Sequence, residues 1–379
     1  MQFPKKLHQK LQQRIAQNSL RSLGEENSLI DFSSNDYLGF AKSEVIFDKT
    51  HEYLLENTLK INGATGSRLL SGNHNLYTIV EKELNTVHKT EASLLFNSGY
   101  DANLGFFSSV PQRGDIILYD EFIHASIRDG IQLSNAKPYK FKHNNIEELE
   151  KLITRHSELV SESHSSIYVV TESVFSMDGN SPDLTTMSQL IKKYTNTYLI
   201  VDEAHALGVF NYGLIQELNL EKEIFARIMT FGKGLGCHGA AILGSQQLID
   251  YLVNFARSFI YTTGLSPHAL TTIKIAYEEL TTTDSKEKLQ ENTQHFILES
   301  KRLKLNFIES NSAIQCCVIP GNEKVKNIAA QLQKEGFNVK PILSPTVAEN
   351  HERLRFCLHS YNSREEITDV LEKLVFYSN

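Results

Sequence analysis

The chain has 379 residues, 41% hydrophobic and 22% charged, with 38 Lys+Arg against 45 Asp+Glu for a formal net charge of -7. That length suits roughly two to three domains with a sizeable buried core, in a composition ordinary for a globular protein. The negative balance argues against non-specific nucleic-acid binding, and no apolar run approaches a membrane span, so neither nucleic acid nor membrane is an expected partner. Cys237, Cys316, Cys317 and Cys357 form no CxxC pair, so neither a disulfide framework nor a metal site is readable.

The opening MQFPKKLHQKLQQR carries charges with no apolar stretch behind it, unlike a secretory signal, and a reduced, cytoplasmic setting is expected. Phe3, Leu7, Leu11 and Ile15 recur every four residues, with Lys and Arg between them. The spacing predicts a helix that packs on its own protein, with Gly24 as the stop signal. LIDFSSNDYLGFA then reads as a short strand entering a Ser/Asn/Asp/Gly turn.

From about Glu52 to Ser266, apolar strands alternate with helical segments. The strands are SLLFNSG, DIILYD, SSIYVVTES, TYLIVDEA, RIMTFGK and GAAILGS; the helices are LYTIVEKELNTVH, NNIEELEKLITRHSEL, DLTTMSQLIKKYT and QQLIDYLVNFARS. IYVV and YLIV are continuously apolar rather than alternating, as expected of a parallel sheet covered by helices on both faces. Beyond Pro267 comes a long helical stretch, His268 to Ser310, then a helix KVKNIAAQLQKEGF among the strands SAIQCCVIP, FNVKPIL and RLRFCLHS. A capping box, Ser363 to Glu366, opens the last helix. The pattern divides the chain into an N-terminal helix-and-strand segment (1–45), a large α/β domain (46–266) and a smaller α+β domain (267–379).

Two short matches mislead. Asp202-Glu203-Ala204-His205 spells a helicase-type box, but the only Gly-Lys dipeptide, Gly232-Lys233, has Arg227 where a phosphate loop needs its first glycine. Gly234-x-Gly236-x-x-Gly239 matches a dinucleotide fingerprint, yet strand-like AAILG follows it instead of a helix, and no acid stands about twenty residues on.

What survives is a set of polar residues at the C-terminal ends of predicted strands, where open α/β sheets build their sites. Asp202 and His205 follow TYLIV; Lys233 follows RIMTF, between Gly232 and Gly234; Asn97-Ser98-Gly99-Tyr100 follows SLLF; His124 follows DIILYD; Glu172-Ser173 and then Ser176 follow IYVV. Singly these have ordinary readings. An Asp at a strand end is more often a cap, a loop lysine is usually solvated, a lone histidine is mostly structural, and Ser176 or Thr230 could simply cap a turn. Together, one acid, one lysine, histidines and hydroxyls fit a cofactor with a charged ring nitrogen and a phosphate, which is what pyridoxal 5′-phosphate presents.

The motifs FSSNDYLGF, GATGSRLLSGN, LLFNSGYDAN, DEFIHAS, VVTESVFSMDG, VDEAHALGV, MTFGKGLGCHGAA, SAIQ, and SPTV followed by ERLRF resemble those of the α-oxoamine synthases, nearly end to end. These are fold-type I pyridoxal-phosphate-dependent transferases. The resemblance implies a large domain on a mostly parallel sheet, a smaller C-terminal α+β domain, and a homodimer. Lys233 matches the lysine that forms the Schiff base with the cofactor and moves the substrate Cα proton. Asp202 would pair with the ring nitrogen, His205 with the phenolic oxygen, and His124 would lie on the ring and touch substrate. Gly99, Tyr100, Ser176 and Thr230 match cofactor contacts, Thr230 and the Gly99–Tyr100 turn nearest the phosphate. Asn35 and Arg355 match the residues that hold the amino-acid carboxylate; Arg21 and Thr346 match contacts nearer the acyl chain.

Within the family, the short N-terminus, FSSNDYLGF and SAIQ favour the branch that condenses L-alanine with a pimeloyl thioester, carried by coenzyme A or by acyl carrier protein. The alternatives are glycine C-acetyltransferase, 5-aminolevulinate synthase and serine palmitoyltransferase types, or a non-catalytic cofactor-binding homologue. The chain departs from the family's usual pattern at His205-Ala206-Leu207-Gly208, at Arg68 where many of this branch carry His, and at YTTGLSP.

Overall fold

The computed structural model describes residues 3–24, 27–161 and 165–378. Two compact units emerge: Asn35–Ser176 with Ser181–Lys286, and the segment ending at Ser34 with Met177–Asn180 and everything from Glu287.

The larger unit is built on seven strands: β1 (Ala92–Phe96), β2 (Ile116–Asp120), β3 (Lys137–Phe141), β4 (Ile167–Glu172), β5 (Thr197–Asp202), β6 (Ala226–Thr230) and β7 (Ala240–Gly244). Their order is β1-β7-β6-β5-β4-β2-β3, and all run parallel except β7, which opposes both neighbours. Every residue of β4 is buried. Its successive side chains supply two cores: Val170 packs with Ile117, Ile200 and Ile228 on one face, Val169 with Leu118, Leu199 and Val201 on the other. A strand buried on both faces has no polar alternation to show, which is why IYVV and YLIV read as unbroken apolar runs. The mostly parallel, helix-covered α/β architecture is the one expected.

β3 carries no such signal. Its KPYKF is largely exposed at the sheet edge, and Pro138 is tolerated there because an edge strand has a side that needs no ladder donor. Helix Gly99–Ser109 was equally illegible, because Asn103 and Ser109 are buried among its apolar residues and break the amphipathic pattern.

The smaller unit holds an antiparallel sheet of β8 (Ile314–Val318), β9 (Lys340–Ile342) and β10 (Arg353–Cys357), with β10 in the middle. Helices Asn322–Lys334 and Arg364–Ser378 belong to the same unit. The capping box forms: Ser363 N–H donates to Glu366 Oε2 at 2.8 Å and Glu366 N–H to Ser363 Oγ at 3.1 Å.

Three expectations need correction. The stretch His268–Ser310 is two helices, Pro267–Leu280 and Ser285–Arg302. The first of them groups with the large unit, so the division falls after Lys286 rather than at 267. The reason is packing: Leu270, Ile273, Ala276 and Tyr277 are buried, and the helix lies against Glu44–Glu56 and Asn75–Val87. At the N-terminus, helix Lys5–Ala16 ends well before Gly24, because Asn18 takes a positive φ of 50° and lets Ser19 N–H reach Arg14 O. That helix buries none of its residues; Phe3, Leu7, Leu11 and Ile15 remain 45–54% exposed. All four cysteines are free and buried, and no helix among the described residues is long and apolar enough to cross a membrane.

Candidate active site

Five parallel strands end on the same edge of the large sheet, and each delivers a singled-out residue: β1 leads to Gly99, β2 to His124, β4 to Ser176, β5 to Asp202 and His205, β6 to Thr230 and Lys233. Lys233 Nζ lies 2.7 Å from His205 Nε2. The other ring nitrogen of His205 lies 2.6 Å from the Tyr37 hydroxyl, which is itself 3.2 Å from Asn35 Oδ1. Tyr37 and His205 are buried, whereas Lys233 is half-buried and Asn35 likewise. A ring fixed through both nitrogens cannot turn, so the lysine amine meets the Nε2 edge of His205 in one defined orientation.

The loop that carries Lys233 is held by backbone contact. A Cβ on Gly234 would stand 2.3 Å from Leu207 O, two residues beyond His205, and one on Gly236 (φ 59°) 2.2 Å from Ala41 N. The two glycines here admit neighbouring main chain.

Asp202 is 5% exposed, with Oδ2 accepting from Asn103 Nδ2 at 2.8 Å and Oδ1 from Ala204 N–H at 2.9 Å. Glu172 stands beside it in register on β4. Burial, then the neighbouring Asp202 charge, pushes the Glu172 carboxyl well above the usual carboxylate range. Its Oε1 accepts the backbone N–H of His124 at 2.5 Å. His124 caps helix Ala125–Leu133, with Nδ1 2.8 Å from Ser126 Oγ and 3.2 Å from Ser126 N. Its outer edge is exposed, yet burial of the rest of the imidazole lowers its pKa; Asp202 opposes that shift and Lys233 adds to it.

Gly99 and Tyr100 open helix Gly99–Ser109, capped by Ser98, whose Oγ accepts from Asp101 N–H. First-turn N–H groups have no intrahelical acceptor and attract an anion. A Cβ at Gly99 would fall 2.2 Å from Thr230 Oγ1, so the backbone turn of β1 and the hydroxyl at the end of β6 close on one another. The Tyr100 hydroxyl bonds to Asp129, which pushes its pKa up.

The substrate-side residues fall in both units. Asn35 is in the large unit; Arg355 is in the small one, 9% exposed on β10 opposite Cys316. Arg21 and Thr346 line one cleft of about 180 Å³ in the small unit, with Leu20, Pro341 and Leu343. Sequence reading passed over Tyr37, Asn103 and Ser126. All three lie inside the quoted motifs: Tyr37 in FSSNDYLGF, Asn103 in LLFNSGYDAN one helical turn after Gly99, and Ser126 in DEFIHAS two residues after His124. Glu172 was noticed but given no role.

These groups meet the demands of pyridoxal phosphate on the chain's own chemistry: an amine, a buried carboxylate fixed by two donors, and an anion-attracting helix start closed by a hydroxyl. Among the described residues no cluster could hold a metal ion.

A family model for aminotransferase class I and II matches residues 27–374. The 8-amino-7-oxononanoate synthase of Emericella nidulans is 38% identical over 92% of this chain and 89% of its own. A putative 8-amino-7-oxononanoate synthase of Methanococcus vannielii is 34% identical over 98% of each. Among solved structures, an 8-amino-7-oxononanoate synthase from Francisella tularensis matches with TM-score 0.76 at 27% identity, over 93% of this chain and 98% of that one. A Sphingomonas wittichii serine palmitoyltransferase matches with TM-score 0.85 at 26% identity, over 92% and 87%. The chain therefore belongs to the class I and II aminotransferase family, in the pyridoxal-phosphate-dependent α-oxoamine synthase branch that contains the 8-amino-7-oxononanoate synthases. It is an acyltransferase-type enzyme.

Proposed function

We propose that this enzyme joins L-alanine to a pimeloyl thioester, of coenzyme A or acyl carrier protein, releasing CO2, the free thiol carrier and 8-amino-7-oxononanoate for biotin synthesis. Similarity to 8-amino-7-oxononanoate synthases over more than nine-tenths of the chain supports the substrate pair. The observation that carries the chemistry is the Lys233–His205 contact of 2.7 Å at the ends of β6 and β5, beside the fixed Asp202 carboxylate.

Pyridoxal phosphate, when bound, supplies the electron sink that makes an amino-acid Cα–H acidic. Lys233 would hold it through its amine and, once freed by the incoming amino acid, act as the base for that proton. Asp202 would keep the ring nitrogen protonated, since a carboxylate within hydrogen-bond reach favours the charged form. His205 would orient the phenolic oxygen, its own ring held by Tyr37. Gly99, Tyr100 and Thr230 would receive the phosphate, with Ser176 close by. Asn35 and Arg355 would bind the amino-acid carboxylate, for which a guanidinium offers two parallel donors. His124 would contact substrate, and Arg21 and Thr346 the acyl portion. The chain would work as a homodimer.

The fold match to serine palmitoyltransferase favours one second reading, an α-oxoamine synthase of other amino-acid choice. The test is the visible spectrum of purified protein titrated with L-alanine, glycine and L-serine, with and without pimeloyl thioester, on material weighed by light scattering. Alanine should perturb the cofactor band most, and thioester should yield CO2 only with alanine. Lys233→Ala should lose cofactor linkage and turnover together; a variant that kept turnover would sink the scheme. A preference for glycine or serine would select the second reading.

A further inference from the structure

Asn103 is 2% exposed on helix Gly99–Ser109, one turn below Gly99. Its Nδ2 lies 2.8 Å from Asp202 Oδ2 and 3.0 Å from Ser126 Oγ, and Ser126 Oγ lies 2.8 Å from His124 Nδ1. Donor and acceptor capacities leave one assignment along this path. A carboxylate only accepts, so the Asn103 amide must turn its NH2 end toward Asp202. The two amide protons then go to Asp202 and to Ser126. The Ser126 hydroxyl accepts from Asn103 on one of its two lone pairs and gives its single proton to His124 Nδ1, because that nitrogen is already an acceptor. That nitrogen also receives the Ser126 backbone N–H at 3.2 Å, so it carries no proton of its own. The neutral imidazole must keep its proton on Nε2. The same orientation leaves Asn103 Oδ1 buried without a donor.

We propose that Asn103 is a positioning residue that fixes the Asp202 carboxylate and holds the Ser126 hydroxyl in place beside His124, whose Nε2–H tautomer the Ser126 backbone N–H sets. The proposal rests on the reading of Asp202 and His124 as cofactor-site residues. One helix then serves two ends of the site: its first turn offers backbone donors at Gly99 and Tyr100, and its second turn offers the amide that holds the carboxylate. The consequence for His124 is specific. It presents a hydrogen-bond donor to an oxygen of substrate and has no lone pair there with which to remove a proton. Proton abstraction is left to Lys233.

The experiment is a long-range ¹H–¹⁵N correlation on ¹⁵N-histidine-labelled protein at pH 8, with and without pyridoxal phosphate, the His124 signal assigned by its loss in His124→Gln. Wild-type His124 should show a bare Nδ1 and a protonated Nε2. In Asn103→Leu the Ser126 backbone N–H still points at Nδ1, so His124 should keep its Nε2–H tautomer. Cofactor affinity, followed by visible absorption, should fall about tenfold or more, as for loss of a hydrogen bond to a charged group. Asn103→Asp, which sets a second carboxylate against Asp202, should not rescue the affinity. A wild-type His124 protonated on Nδ1 would overturn the proposal, even were Asn103→Leu unable to fold. So would an Asn103→Leu protein with unchanged cofactor affinity. A wild type that develops no visible band with pyridoxal phosphate would remove the cofactor-site reading instead, and the cofactor-free spectrum would still decide the hydrogen-bond path.

Discussion

Two carboxyl groups, Glu172 and Asp202, stand side by side on neighbouring parallel strands, and both are buried. Two buried like charges at that separation are costly, and one group resolves the conflict by holding its proton. Glu172 is that group: burial first, then Asp202, raises its pKa, and its Oε1 serves as an acceptor for His124 N–H, which a neutral side chain can do equally well. Glu172→Gln preserves both shape and neutrality. It should change kcat/KM by less than about tenfold, because no charge is removed from the working site. Asp202→Asn, which does remove a charge, should lose far more. Steady-state kinetics on the two variants side by side check this, and a Glu172→Gln loss as large as that of Asp202→Asn would mean that Glu172 works as an anion.

At the scale of elements, position is set by strand ends and by the loops that leave them. Lys233 reaches His205 because the Lys233–Gly236 turn packs on the loop that follows β5, where Gly234 meets Leu207 O. Gly234→Ala would force backbone apart from backbone, with no flexible side chain to yield. The expected result is a loss of stability of about 1–3 kcal/mol, and of turnover through a displaced Lys233. Urea unfolding and cofactor absorbance measure the two effects; a variant normal in both would show the approach to be looser than drawn. This dependence on two loops explains what the sequence could and could not disclose. GKG and VDEAH mark the strand ends, because β5 and the IMT end of β6 are largely apolar stretches that give way to polar residues and glycines. Nothing in one dimension says that Gly234 answers to Leu207, or that Tyr37 answers to His205 across 168 positions. Asn103 was hidden for a related reason. A buried polar residue on an otherwise apolar helix face looks like a gap in the pattern until its partners on β5 and on helix Ala125–Leu133 are known.

For the whole chain, the buried groups that refuse charge pull stability in opposite directions with pH. His88 is fully buried, its Nε2 2.8 Å from the Tyr277 hydroxyl, and burial, then nearby Arg227, holds its pKa well below the usual histidine value. As pH falls through about 6.5, the unfolded chain takes up a proton there that the native chain does not, so stability drops. His124, also lowered, acts in the same sense. Glu172 has the opposite sign. Above about 4.5 the unfolded chain releases a proton that the native chain retains, so stability drops as pH rises. Asp31, held at about 2 with burial opposing its Ser33 and Ser34 hydrogen bonds, loses its contribution only below about 3.8. Between pH 5 and 6.5, then, the histidine and Glu172 contributions oppose each other. Relative to wild type, His88→Gln should tilt the profile toward a stability that declines with rising pH. Glu172→Gln should tilt it the other way, each by up to roughly 1 kcal/mol per pH unit. Measuring midpoints at three pH values for the three proteins decides it, and parallel profiles would show that these two groups titrate alike in the folded and unfolded chain.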